Sequence, residues 1–138
     1  FSTPYKRPRQ GVCSTWLASR SEGDSVPLWI TPGSFPDVQP HTPLIMVGPG
    51  TGVAPMRAFL QSRLSTAAVG APAPDMLFFG CRHRAKDFLF GGEFEALGSG
   101  GKLELHAAFS RDQPAKVYVT HKLREAGSTV WRLLSTHQ

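Results

Sequence analysis

The stretch Gly48-Pro-Gly-Thr-Gly-Val-Ala-Pro55 decides the fold. Before it, Leu44-Ile-Met-Val47 is a short apolar run with β-branched members, which reads as a buried strand. After it, Met56, Phe59, Leu60 and Leu64 recur at helical spacing through Ala54–Leu64. The eight residues are therefore a strand-to-helix turn. Gly48, Gly50 and Gly52 let the backbone turn tightly and let a ligand approach with no Cβ in the way. Pro55 suits a first helical turn, where its missing N–H leaves no bond unmade. A helix N-terminus offers free N–H groups and partial positive charge to an anion, and the Thr51 hydroxyl can add a bond to a phosphate oxygen. The spacing is GxGxG rather than GxGxxG, so the fingerprint of many dehydrogenases does not strictly apply. A plain strand-to-helix turn would share some of these features. Three glycines between a strand and a helix favour phosphate binding.

The same grammar repeats downstream. Met76-Leu-Phe-Phe79 reads as a second buried strand ended by Gly80, and Leu103–Phe109 as a third. Phe88–Leu97 reads as a helix weakened by Gly91 and Gly92, and Gly98–Gly101 as a turn. Val117–Leu134 reads as one or two helices broken near Gly127. Thr66–Pro74 is an Ala/Gly/Pro-rich loop. Alternation of strand and helix predicts an α/β fold, a parallel sheet with helices on both faces and right-handed crossovers. Upstream the pattern is looser. Residues 1–10 are a polar, Pro-rich lead-in, and Val12–Ser19 has the spacing of a short helix. Val26–Thr31 reads as a short strand, and Pro32–Pro43, with four prolines, as a loop.

Ligands in such sheets sit beyond the carboxyl ends of strands, so residues after Val47, Phe79 and Phe109 carry the chemistry. Ser110-Arg111 follows the third strand, with Lys116 and Tyr118 close behind. The planar fork of Arg, the point charge of Lys and the hydroxyl of Ser suit a phosphate. They fit the 2′-phosphate of NADP, whereas NAD-specific sites favour an acidic residue at the ribose. A solvated basic turn is the plainer reading. Cys81 follows the second strand, facing the same crevice, though buried cysteines commonly act as small hydrophobes. Gly11-Val-Cys-Ser14 opens the short helix as a weaker second anion site.

Totals narrow the class. The chain has 138 residues, 41% of them hydrophobic and 18% charged, which suits one compact globular domain. No apolar run reaches the roughly 18 residues that span a bilayer. The first residues show no signal-peptide core, and the absence of an initiator Met suggests a cut within a longer protein. Cys13 and Cys81 form no CxxC pair and read as reduced thiols of a cytoplasmic protein. Net charge is +5. The basic residues are scattered and lack interleaved aromatics on one element, which argues against nucleic acid and suits an anionic cofactor. His41, His83, His106, His121 and His137 lack metal-ligand spacing.

Four ordered segments carry a resemblance: GVCSTWL (11–17), TPLIMVGPGTGVAPMRAFLQSR (42–63), FFGCRHRAKDFLF (78–90) and AFSRDQPAKVYVTHKL (108–123). In them the chain resembles the diflavin reductases, the family of NADPH–cytochrome P450 reductase. GVCSTWLAS and REAGSTVWRLL are most similar to its branch that serves cytosolic iron–sulfur assembly. The resemblance implies a ferredoxin-reductase-like NADP-binding domain over 32–138, truncated at the C-terminus, after the C-terminal end of an FAD-binding domain over 1–31. It implies that Gly11, Val12, Cys13 and Ser14 touch the FAD pyrophosphate and Thr51 the NADP pyrophosphate. It implies that Ser110 and Arg111 hold the 2′-phosphate, with Lys116, Val117, Tyr118, Val119 and Thr120 completing that pocket. Cys81 would assist hydride transfer to flavin. Electrons would pass from NADPH through FAD and FMN, the latter in a missing N-terminal domain, to a one-electron redox protein such as an iron–sulfur assembly factor.

Departures also matter. Thr120 stands where relatives often carry Gln, and Gly91-Gly92 replaces bulkier residues. The chain stops where relatives continue with another strand, so it is not expected to turn over electrons alone. A single-flavin ferredoxin–NADP reductase shares the turn and the Ser-Arg pair, although Pro49 and the AKVYV wording lean away from it. A noncatalytic nucleotide-binding or docking fragment is the other alternative.

Overall fold

The structure is a computed structural model that describes residues 10–35, 38–39, 41–65 and 74–136. Two compact units divide the chain, Phe1–Pro36 and Asp37–Gln138. In the first, α1 (Val12–Ala18) forms as the spacing predicts. It buries none of its residues: Val12 and Leu17 are exposed. The strand expected at Val26–Thr31 is absent. Those residues take no regular secondary structure and pair with no strand among the described residues, and Leu28, Trp29 and Ile30 stand exposed.

The second unit follows the expected alternation. Its elements are β1 (Ile45–Pro49), a 3₁₀ turn (Gly50–Gly52), α2 (Val53–Ser65), β2 (Asp75–Cys81), α3 (Arg84–Asp87), α4 (Gly91–Ser99), β3 (Leu103–Phe109), α5 (Val119–Glu125) and α6 (Gly127–Thr136). The three strands lie side by side in the order β1-β2-β3, all parallel. Helices cover both faces. Leu77 and Phe79 point to one layer, packed with Val53 and Leu60 of α2 and Phe94 of α4. Met76 and Phe78 point to the other, packed with Ala126, Leu133 and Val119 of α5, α6 and the turn between them. Side chains alternate along a strand, so burial on both faces requires the middle of β2 to be apolar on both sides. Met76, Leu77, Phe78 and Phe79 are all fully buried, each side chain contributing about 1.5–3 kcal/mol by leaving water.

A buried ion pair ties the sheet's lower edge to α2. Asp75 Oδ2 accepts from Arg63 Nε at 2.8 Å, and Oδ1 accepts the Leu44 N–H at 2.9 Å. Both carboxylate oxygens are therefore satisfied, the condition under which a buried charge is tolerated.

The helix expected at Phe88–Leu97 divides differently. One turn, α3, forms ahead of it, and α4 starts only at Gly91. Phe90 is the cause: it adopts a left-handed conformation (φ 57°, ψ 21°) that no helix interior accepts. The guanidinium of Arg57 lies 4.3 Å over its ring, and the ring packs edge-on against Phe94. Gly91 and Gly92 consequently sit in the first turn of α4 rather than weakening its interior. The break near Gly127 falls where expected, at Ala126 between α5 and α6. The loop expected at Thr66–Pro74 lies, for residues 66–73, outside the described residues. No described helix is long and apolar enough to cross a membrane.

Candidate nucleotide site at the strand ends

Register brings the candidate residues together. Pro49, Gly80 and Ala108 are successive partners across the three strands, as are Cys81 and Phe109. A cavity of about 380 Å³ opens there, lined by Pro49, Gly80, Cys81, Arg82, Ala108, Ser110 and Val117–Thr120. Six expected site residues thus share one cavity: Cys81, Ser110, Val117, Tyr118, Val119 and Thr120. Gly80 and Arg82 flank Cys81 in the strand-end stretch that the sequence points to, whereas Pro49 and Ala108 carry no individual role in the sequence reading. Counting registers from each strand's end would have found these two, because parallel strands end in step.

The turn before α2 has the shape its glycines suggest. A Cβ on Gly48 would lie 2.8 Å from the Gly52 carbonyl oxygen and 3.0 Å from Val53 Cα. Gly50 adopts φ +57°, which only glycine takes without strain. Thr51 and Gly52 are exposed at the turn, and the α2 N-terminus follows. Gly48, Gly50, Thr51 and Gly52 do not line the cavity itself. They continue the same strand-end surface from Pro49.

Beyond the strands, the β2 and β3 chains stay zipped. Cys81 O accepts the Ser110 N–H at 2.9 Å and the Ser110 hydroxyl at 3.3 Å. Arg82 O accepts the Arg111 N–H at 2.9 Å. Asp112 then accepts from His83 Nδ1 and the Arg84 N–H, each at 2.9 Å. The Arg84 amide first, and the His83 ring second, hold the Asp112 carboxyl below its usual range. Gln113 donates to the carbonyls of Phe109 and Ala115, pinning the following loop. At its far end His121 Nδ1 accepts the Tyr118 N–H at 2.9 Å, capping α5 beside the cavity. Arg111 and Lys116 are exposed and enter no ion pair among the described residues, so both cations can meet an anion.

Burial, and then the charges of Asp87 and Asp112, push the Cys81 thiol above its ordinary 9.0. The thiol donates weakly to His83 O at 3.6 Å. Thiolate is the nucleophile, so a raised pKa means slower reaction at any pH below it. With iodoacetamide at pH 8, Cys81 is expected to alkylate more slowly than the exposed Cys13, gaining steeply above pH 9. Equal peptide-resolved rates at pH 8 would contradict this.

In the first unit, Gly11 precedes α1 without a side-chain cap, and Ser14 Oγ donates to Gly11 O at 3.4 Å. Val12, Cys13 and Ser14 are exposed. Among the described residues no cluster of three or more His, Cys, Asp or Glu could hold a metal ion.

A parallel sheet clad on both faces, with a glycine turn and exposed cations at its carboxyl ends, defines a dinucleotide-binding α/β domain. Residues 46–135 match the oxidoreductase NAD-binding domain, and the chain belongs to that family. It is 51% identical to NADPH-dependent diflavin oxidoreductase 1 of Mus musculus, over 97% of this chain and 23% of that protein. It is 48% identical to the Arabidopsis thaliana protein of the same name, over 96% of this chain. NADPH–cytochrome P450 reductase of Drosophila melanogaster is 40% identical over the whole chain and 21% of its own length. The chain therefore spans under a quarter of these relatives.

Proposed function

We propose that this chain is the NADP(H)-binding portion of a diflavin oxidoreductase, which passes electrons from NADPH through FAD and FMN to a one-electron acceptor. The observation that carries the reading is the cavity where Cys81, Ser110 and Val117–Thr120 meet beyond the strand ends, with Arg111 and Lys116, in no ion pair among the described residues, beside it. The Gly48–Gly52 turn and the α2 N-terminus, lacking side-chain bulk and carrying free N–H groups, would hold the pyrophosphate, with Thr51 adding its hydroxyl. Ser110, Arg111 and Lys116 would hold the 2′-phosphate, with Val117 to Thr120 completing that pocket. Bound nicotinamide supplies the hydride. This chain would orient it, and Cys81, which burial favours as a neutral thiol, would lie near the nicotinamide and assist hydride transfer to the flavin.

The domain division belongs to the same proposal: residues 1–31 as the end of an FAD-binding domain, 32–138 as the NADP(H) domain. Gly11, Val12, Cys13 and Ser14 would then contact the FAD pyrophosphate. An iron–sulfur assembly protein as electron acceptor, and the cytoplasm as compartment, are its finest part and rest on the similarity of GVCSTWLAS and REAGSTVWRLL.

Calorimetric titration with 2′,5′-ADP and 5′-AMP tests the reading, with the former expected to bind more tightly. Arg111→Ala should weaken 2′,5′-ADP by about 1.5–3 kcal/mol, the scale of a bond to a charged group, and leave 5′-AMP nearly unchanged. Equal affinity of the unaltered chain for both nucleotides rules out a 2′-phosphate pocket. An unaffected Arg111→Ala variant removes that residue from it.

A further inference from the structure

Asp112 sits next to the cation Arg111, beside an expected phosphate position, where an acidic residue is electrostatically the wrong choice. By Coulomb's law alone its removal should strengthen anion binding. Its contacts say otherwise. Its Oδ1 accepts from His83 Nδ1 and its Oδ2 from the Arg84 N–H, both at 2.9 Å, so each oxygen is spent on the segment leaving β2. The two rungs before it run between the same segments, Ser110 N–H to Cys81 O and Arg111 N–H to Arg82 O. Asp112 is thus the last rung of a ladder that outlasts the sheet. Arg84 reinforces it: its guanidinium pairs with Glu95 and lies 5.8 Å from the Phe88 ring and 5.6 Å from the Phe109 ring, so its backbone is held from outside.

We infer that Asp112, through this clasp on His83 and Arg84, is a positioning residue for the 2′-phosphate. It locks the Cys81–Arg84 and Ser110–Arg111 segments into one body, so that the phosphate-holding and thiol-bearing sides of the cavity keep a fixed separation. The inference rests on the NADP(H) reading above. Two hydrogen bonds from one carboxylate fasten the loop beyond the last backbone rung. Ordering it in advance removes an entropic penalty from binding.

Calorimetry on the full chain decides the sign. Asp112→Ala is expected to weaken 2′,5′-ADP about three- to tenfold, the scale of one or two lost hydrogen bonds, and to leave 5′-AMP within about twofold. Asp112→Asn should recover most of the loss. Its amide oxygen can accept the Arg84 N–H and its NH₂ can donate to neutral His83. Alongside, amide hydrogen exchange at Ser110 and Arg111 should speed up in Asp112→Ala while the β2 core amides stay protected. Tighter 2′,5′-ADP binding by Asp112→Ala means that only its charge matters and overturns the clasp, as does unchanged exchange. Should Asp112→Ala fail to fold, His83→Ala removes one bond of the clasp and is expected to give a smaller loss of the same sign; no loss overturns the inference. Absence of any 2′,5′-ADP preference in the unaltered chain defeats the NADP(H) reading and this inference together, whereas a preference untouched by Asp112→Ala defeats this inference alone.

Discussion

Phe78→Ala is expected to destabilise the fold by about 3–5 kcal/mol, the loss typical of an emptied aromatic core site. Phe78 is fully buried in the middle strand, flanked by Met76 and stacked on His106 at 4.5 Å between ring centroids. The layer it anchors is the thinner one, holding four buried residues among those described, and it fastens α5 and α6 to the sheet. Val119 packs on that layer while also lining the cavity, so the damage should travel to nucleotide binding. Phe94→Ala is the matched comparison. It removes an equally buried ring from the opposite layer, beneath α2 and α4. Urea unfolding should give similar losses for both variants, and titration with 2′,5′-ADP a larger loss for Phe78→Ala. A Phe78→Ala midpoint equal to that of the unaltered chain would show that this layer does not hold the fold. Equal binding losses for the two variants would show that α5 is not positioned by it.

Gly48→Ala should be nearly as damaging, for a different reason. The added methyl would meet the Gly52 carbonyl oxygen at 2.8 Å and Val53 Cα at 3.0 Å, both backbone atoms that a rotamer change cannot move. The turn must open, costing about 1–3 kcal/mol of stability as overpacking does. The larger effect is on binding. If the displaced turn loses two backbone bonds to phosphate, each worth about 1.5–3 kcal/mol, nucleotide affinity falls by about a hundredfold or more. Gly92→Ala, where an added Cβ meets nothing within 4 Å, is the control and should bind as the unaltered chain does. An undiminished affinity in Gly48→Ala would show that this turn does not carry the phosphate.

Much of the second unit was legible because its signals are local and agree with one another. Leu44–Val47 and Met76–Phe79 are apolar runs of strand length ended by glycine, and a strand buried on both faces can be little else. Leu103–Phe109 and the break near Gly127 were legible from local pattern as well. What misled was Val26–Thr31, whose apolar residues satisfy a strand's local preference. A strand also needs a neighbour to take its hydrogen bonds, and nothing in the local sequence says whether one exists. The start of α4 was missed for a related reason: Phe90 takes a left-handed conformation that its own side chain disfavours, and its ring lies against Arg57 from a distant part of the chain.

By itself the sequence determined the parallel α/β arrangement, the glycine turn at Gly48–Gly52 and the residue types of the site, because periodicity, backbone freedom and charge are properties of short segments. The tertiary structure alone decided which of those residues share a cavity. It set Pro49, Gly80 and Ala108 in register, brought Cys81 against Ser110 across 29 residues of chain, and put Pro49 in the cavity lining while leaving Gly48, Gly50, Thr51 and Gly52 beside it. It also gave Asp112 a partner in His83, 29 positions away. Contacts of that kind depend on strand register and on loops closing over long separations, and no window of sequence contains both ends of them.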